Sequence, residues 1–98
     1  MLYHLSEKER LILRLLVEHT ELGGVELVRH SGGELGRGTV YVTLERMEDK
    51  GLVRRRVAVP APPATLGRHY FKATALGLRT RLAVEAANEL LTVRRRKA

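Results

Sequence analysis

Residues 38–74 read GTVYVTLERMEDKGLVRRRVAVPAPPATLGRHYFKAT. Val40, Leu44 and Met47 recur at spacings of four and three, which predicts a helix with one buried stripe. Thr39, Thr43, Arg46 and Lys50 recur at four, three and four, so the same helix carries a second stripe of hydrogen-bond donors and cations. Glu45 and Glu48 fall roughly opposite those cations, and Gly51 ends the helix. Alternation then predicts a strand with Val53, Arg55, Val57 and Val59 on one face and Arg54 and Arg56 on the other. Pro60, Pro62 and Pro63 cannot continue a hydrogen-bonded ladder and mark the tip of a turn. A return strand follows over 68–73, with Phe71 and Ala73 on one face and Arg68, Tyr70 and Lys72 on the other.

Working outward, Ser6 followed by Glu9 makes a capping box in front of Leu11, Ile12, Leu13, Leu15, Leu16 and Val17. This first helix should end near residues 20–23. Its apolar residues go most of the way round, so it should be covered by its own domain and by a partner, with Leu11 and Leu15 assigned to that pairing. Gly23 and Gly24 break the chain before a short helix over 25–30 whose stripe is Val25 and Val28, and Ser31-Gly32-Gly33 ends it. Gly36 and Gly38 are expected to loosen the turn before the third helix and let backbone amides approach a phosphate. Neither GxGxxG nor GxxxxGK[ST] is present, which argues against a nucleotide-binding loop. Thr74 caps a last helix over about 75–93, where Leu78, Leu82, Ala86, Leu90 and Val93 form a stripe widened by Ala83 and Ala87. That stripe is broader than one small domain needs, and its small residues permit close approach of a second copy. Arg94 to Lys97 suit the negative end of that helix and equally read as a soluble tail.

The order of elements is that of a winged helix-turn-helix: mainly α with a small β-hairpin (α+β), closed by a C-terminal dimerisation helix. Residues 1–74 form the winged-helix part and 75–98 the dimerisation helix and basic tail, within one compact domain. At 98 residues there is room for one core only. The apolar fraction of 44% argues against wholesale disorder. No cysteine is present, so disulfides and thiolate zinc sites are excluded and a reducing cytoplasm fits. The N-terminus lacks signal-peptide organisation, and no apolar run is long enough to span a membrane.

Charge is unevenly placed. Residues 1–36 carry four basic and six acidic side chains, residues 37–81 ten and three, and residues 82–98 four and two. The excess of +7 therefore lies in the third helix and the hairpin, the electrostatic footprint of a nucleic-acid binder. Aromatics make up only 4% of the chain, too few for the stacking platforms of single-strand binding, so duplex DNA is favoured over RNA. Arg46 matches guanine O6 and N7, while Thr39, Thr43 and Val42 suit a thymine methyl. Arg37, Tyr41, Lys50, Arg56, Arg68 and Lys72 are the candidates for holding phosphates. Two alternatives stay open: Tyr41 as a packed ring, and Arg46 in an ion pair with Glu45 or Asp49. His4, His19, His30 and His69 have no metal-ligand spacing and no nucleophile sits beside a base, so no enzyme, cofactor or metal is indicated.

On these residues the chain resembles the PadR family of winged-helix transcriptional regulators. GGVELV is similar to the family's Gly-Tyr-Glu helix start, GTVYVTLERMEDKGLV to its recognition helix and first wing strand, and GRHYFKATALG to its second strand and last-helix start. Val25 stands where an aromatic is common, Val42 where proline is frequent and Leu76 where an acid is common. The resemblance implies a cytoplasmic homodimer, a repressor holding a palindromic operator and released by a small aromatic or lipophilic effector. The alternative is a winged-helix ligand-sensing or protein-interaction module without DNA binding.

Overall fold

The computed structural model describes residues 4–58 and 68–97, with side chains as far as Leu91. The wing tip with Pro60, Pro62 and Pro63, the side chain of Val93 and the basic tail side chains lie outside the described residues. Among the described residues four helices and three strands follow in the order α1 (Glu7–His19), β1 (Leu22–Gly23), α2 (Gly24–His30), α3 (Arg37–Asp49), β2 (Val53–Ala58), β3 (Arg68–Ala73) and α4 (Ala75–Lys97). The antiparallel sheet has the order β1-β3-β2. The α+β expectation holds, with one strand more than the hairpin. Two-residue β1 is too short for an alternation to show in the sequence, and it pairs Leu22 with Phe71 and Gly23 with Tyr70.

The capping box forms as expected: the Glu9 amide donates to Ser6 Oγ at 3.2 Å and the Ser6 amide to Glu9 Oε1 at 2.9 Å. Helix α1 is the centre of the core, with Ile12, Leu13 and Leu16 almost completely enclosed. Leu11 and Leu15 are 8% and 3% exposed, so they belong to the core of their own chain and offer no face to a second copy, contrary to their assignment from sequence. Helix α2 also differs from expectation. The inward stripe is Gly24, Leu27, Val28 and Ser31, at i, i+3, i+4 and i+7, so Leu27 faces the core and Val28 packs against it while Val25 is half exposed.

Between α2 and α3 the backbone turns sharply at Gly32 and Gly33, both at positive φ, where a side chain is rarely tolerated. Gly36 and Gly38 do not loosen this turn. Gly36 is the extended N-cap of α3 and Gly38 lies in its first turn. Ser31 locks the connection, its hydroxyl donating to the Val28 carbonyl at 2.7 Å and accepting from the Leu35 amide at 3.0 Å, which seats Leu35 in the core.

Val40, Leu44 and Met47 form the buried stripe of α3, as their spacing implies. The helix ends in a Schellman motif: Gly51, at φ 77°, donates to the Glu48 carbonyl, and Leu52 to the Met47 carbonyl at 2.8 Å. Strand β2 leaves immediately. Its pairing with β3 runs from Val53↔Ala73 through Arg55↔Phe71 to Ala58↔Arg68, so Val53 and Phe71 share the core face. Val57 lies on that face too but is 52% exposed, because it pairs with exposed His69, past the last helix-covered residues.

The base of the hairpin is a knot of backbone contacts. Thr74 donates its amide to the Leu52 carbonyl at 3.0 Å and its hydroxyl to the Gly51 carbonyl at 2.6 Å, while accepting the Gly77 amide at 3.0 Å to cap α4. Gly77 lies so close to Leu52 that a Cβ there would run into the Leu52 carbonyl oxygen. Helix α4, about 34 Å long at 1.5 Å per residue, continues beyond the expected end near Val93. Its inner side carries Leu76, Thr80 and Val84 against the core, whereas Leu78, Leu82, Ala86 and Leu90 run along the opposite, exposed side.

Gly77→Ala should therefore destabilise the fold by at least about 1–3 kcal/mol, the cost of forcing extra volume into a packed contact. Chemical denaturation of the two proteins measures it, with Gly38→Ala, where a Cβ meets nothing within 4 Å, as the control that should not lose stability.

Candidate nucleic-acid interface

The donor stripe of α3 stands as the spacing implies. Thr39, Val42, Thr43, Arg46 and Lys50 line one groove of about 610 Å³ with the first turn of α1, residues 6–9. The threonine hydroxyls donate to the helix itself, Thr39 to the Gly36 carbonyl at 3.3 Å and Thr43 to the Thr39 carbonyl at 2.9 Å. Their methyl groups are left as the apolar contact points beside exposed Val42. Arg46 forms no ion pair among the described residues, so the alternative pairing with Glu45 or Asp49 is not made. Arg37 is exposed at the start of the helix.

Lys50, at the far end of the stripe, is already engaged. Its Nζ donates to Glu9 Oε2 at 2.8 Å, joining the end of α3 to the start of α1. Burial alone would push the Glu9 carboxyl up, but the Lys50 ammonium and the Ser6 amide together hold it below the usual carboxylate range.

The hairpin carries its cations on the face away from the core. Arg54 pairs across the ladder with Lys72 and Arg56 with Tyr70, so this outer face collects Arg54, Arg56, Arg68, Tyr70 and Lys72. Arg56 makes a two-point contact with Glu21, at 2.6 and 3.1 Å, and lies over the Tyr70 ring with its guanidinium carbon 5.0 Å from the centroid. The Arg56 hydrogen bond holds the Glu21 carboxyl below its ordinary value despite some desolvation. Arg55, on the core face, is clamped by Glu48 at 3.2 Å, approaches His69 Nδ1 at 3.3 Å and covers Phe71. Arg37, Arg46, Arg54, Arg68 and Lys72 are thus the exposed cations of helix and wing without an ion pair among the described residues.

Tyr41 is half exposed, and its ring occupies the space a Cβ on Gly24 would take, the nearest ring atom lying 2.5 Å from that position. It is both packed and accessible, so the two sequence readings describe the same side chain. The carboxylates Glu9, Glu21 and Glu48 were invisible as cation partners in the sequence, standing 41, 35 and 7 residues from Lys50, Arg56 and Arg55. Of the assigned dimer residues, Leu78, Leu82, Ala86 and Leu90 are exposed together on α4. Two of the four histidines do meet: His19 and His30 stack with centroids 4.2 Å apart, a face-to-face arrangement that does not converge on a metal. Among the described residues no group of three or more metal-ligating side chains occurs, and no helix is long and apolar enough to cross a membrane.

No protein-family model matches the sequence, and no curated protein matches it. Solved structures do. A PadR family transcriptional regulator from Eggerthella lenta is 27% identical, with 91% of this chain and 78% of that one covered and a TM-score of 0.74. A PadR family transcription regulator from Clostridium difficile is 23% identical, with 94% and 97% covered and a TM-score of 0.75. Bacillus subtilis PadR, solved in complex with operator DNA, is 20% identical over 76% of this chain, which spans 44% of that protein, with a TM-score of 0.67. The fold is that of a PadR-like winged helix.

The Glu9–Lys50 pair gives a pH signature. With its carboxyl depressed in the folded state, Glu9 contributes stability above its unfolded value of about 4.5 that is lost as pH falls through the lower folded value. Lys50→Met removes the ammonium that helps hold this carboxyl down and leaves burial opposed only by the Ser6 hydrogen bonds, so the depression shrinks. Thermal melts between pH 3 and 7 should show a shallower acid loss for the variant than for the parent, and parallel curves would contradict the pairing.

Proposed function

We propose that the chain is a sequence-specific, duplex-DNA-binding transcriptional regulator, acting in the cytoplasm as a homodimeric repressor on a palindromic operator, and not an enzyme. The observation that carries this reading is Arg46, exposed and in no ion pair among the described residues, on α3 beside Thr39, Val42 and Thr43. A guanidinium free of carboxylates can donate both its hydrogen bonds to guanine O6 and N7, and the neighbouring methyl groups match thymine. Support from relatives comes from the similar PadR solved with operator DNA. The unpaired Arg37, Arg68 and Lys72, joined by Tyr41, serve as phosphate holders. Lys50 and Arg56 already hold Glu9 and Glu21, and offer a phosphate the N–H donors those pairs leave free.

In this reading residues 1–74 contact DNA and 75–98 pair two copies through Leu78, Leu82, Ala86, Leu90 and Val93. Three exposed leucines on one side of the helix, Leu78, Leu82 and Leu90, with Ala86 between them, support the pairing, because an apolar stripe of this kind is costly to leave in water. Two α3 helices about a two-fold axis then read half-sites about 34–36 Å apart. The release by a small aromatic or lipophilic compound rests on the family resemblance.

Fluorescence anisotropy on a palindromic duplex from upstream of the protein's own gene tests the DNA reading. Arg46→Ala should lose about 1–3 kcal/mol on that site and discriminate less between it and a scrambled duplex. Unchanged affinity and selectivity would remove Arg46 as a base reader, and absence of duplex binding at low salt would favour the ligand-sensing or protein-interaction alternative. Leu82→Glu with Leu90→Glu should convert the dimer to a monomer in analytical ultracentrifugation and weaken operator binding far more than binding to a single half-site.

A further inference from the structure

We propose that the groove between α2, the middle of α3 and the wing is a seat for a DNA phosphate, with Arg29 as its principal cation; this rests on the DNA-binding reading above. The groove, about 620 Å³, is walled by Arg29 of α2, Tyr41 of α3 and Arg68 and Tyr70 of β3, with Gly23 and Gly24 at its floor. Arg29 and Arg68 are exposed and in no ion pair among the described residues. The one carboxylate lining it, Glu26, is drawn to the backbone, its Oε1 accepting the Gly23 amide at 3.1 Å. Two guanidinium groups and two phenols thus line a concave space whose one carboxylate is partly satisfied within the chain. The guanidinium and hydroxyl donors of that lining are suited to a phosphodiester oxygen.

Its position relative to α3 supplies the second argument. Val42 and Arg46 line the groove on the α1 side of this helix, and Tyr41 lines the groove on the wing side. A helix in a major groove about 12 Å wide has a sugar-phosphate backbone on each flank. The α1 side carries Lys8 and Lys50 for one backbone, and the wing side carries Arg29 and Arg68 for the other. Gly24 keeps the seat open: the Tyr41 ring occupies the place of its missing side chain, which fixes the phenol at the groove wall.

Arg29 also lies in the last turn of α2, where a cation stabilises the helix dipole, and the test must separate the two roles. Salt titrations of binding are run on the operator duplex and on a scrambled duplex, with thermal melts in parallel, for the parent, Arg29→Ala and Arg29→Lys. Arg29→Ala should lower affinity by the same factor on both duplexes and make the slope of log affinity against log salt shallower by about 0.9, the loss of one phosphate contact. Arg29→Lys should retain the slope. A parent that binds steeply while Arg29→Ala leaves slope and affinity unchanged would overturn the phosphate seat alone, with any fall in melting temperature marking a dipole role. A parent that binds no duplex at low salt would overturn the seat and the DNA-binding reading together.

Discussion

The Leu52 carbonyl is where the whole chain is held in register. It accepts the Thr74 amide, and Gly77 packs against it with no side chain between. One residue earlier, Gly51 closes α3 and its carbonyl accepts the Thr74 hydroxyl. The end of α3, the start of β2, the end of β3 and the start of α4 therefore meet at one point of backbone hydrogen bonds. Such bonds, once buried, are costly to leave unmade, and they fix angles more sharply than side-chain packing does. The mutual orientation of the exposed α3 stripe, the wing and α4 is set there, while the core leucines of α1 fill the space that this geometry encloses.

Electrostatics then sorts the cations. The sequence offers one undivided basic region, but folding brings Glu9, Glu21 and Glu48 against Lys50, Arg56 and Arg55. Of these only the Glu9 carboxylate is well buried, and it ties two helices together. The Glu21 pair is exposed and weak in energy, yet with Tyr70 beneath it still sets where the Arg56 guanidinium points. Among the described residues, what is left without an ion pair on helix and wing is a narrower set, Arg37 and Arg46 on α3 and Arg54, Arg68 and Lys72 on the hairpin.

Much of this was legible in the sequence. Helix α3 and its two stripes, the Gly51 stop, the capping box at Ser6 and the parity of the two long strands all follow from spacings of two, three and four. Local periodicity carries such features because backbone geometry imposes them. Other features escaped for physical reasons. Strand β1 has two residues, fewer than one full alternation. Spacing alone gives Leu11 and Leu15 to pairing with a second copy, because a helix apolar nearly all round does not say which neighbour covers which side, and here the chain itself covers them. Val25 and Val28 alone share a spacing of three, but Leu27 with Val28 defines the inward side and leaves Val25 off it. The carboxylate partners and the Tyr41–Gly24 contact join residues far apart in the chain, and no spacing rule reaches that distance.

Thr74 is the only residue between the last strand and α4. With its amide, hydroxyl and carbonyl all engaged, the junction has no hinge, and α4 behaves as a lever rigidly mounted on the wing base. Over an arm of about 34 Å, a pivot of 10° sweeps the far end through about 6 Å, nearly two base-pair steps of a duplex. In the proposed dimer, clamping the far ends of two such arms would convert a small change in their crossing angle into a change of spacing between the heads they carry.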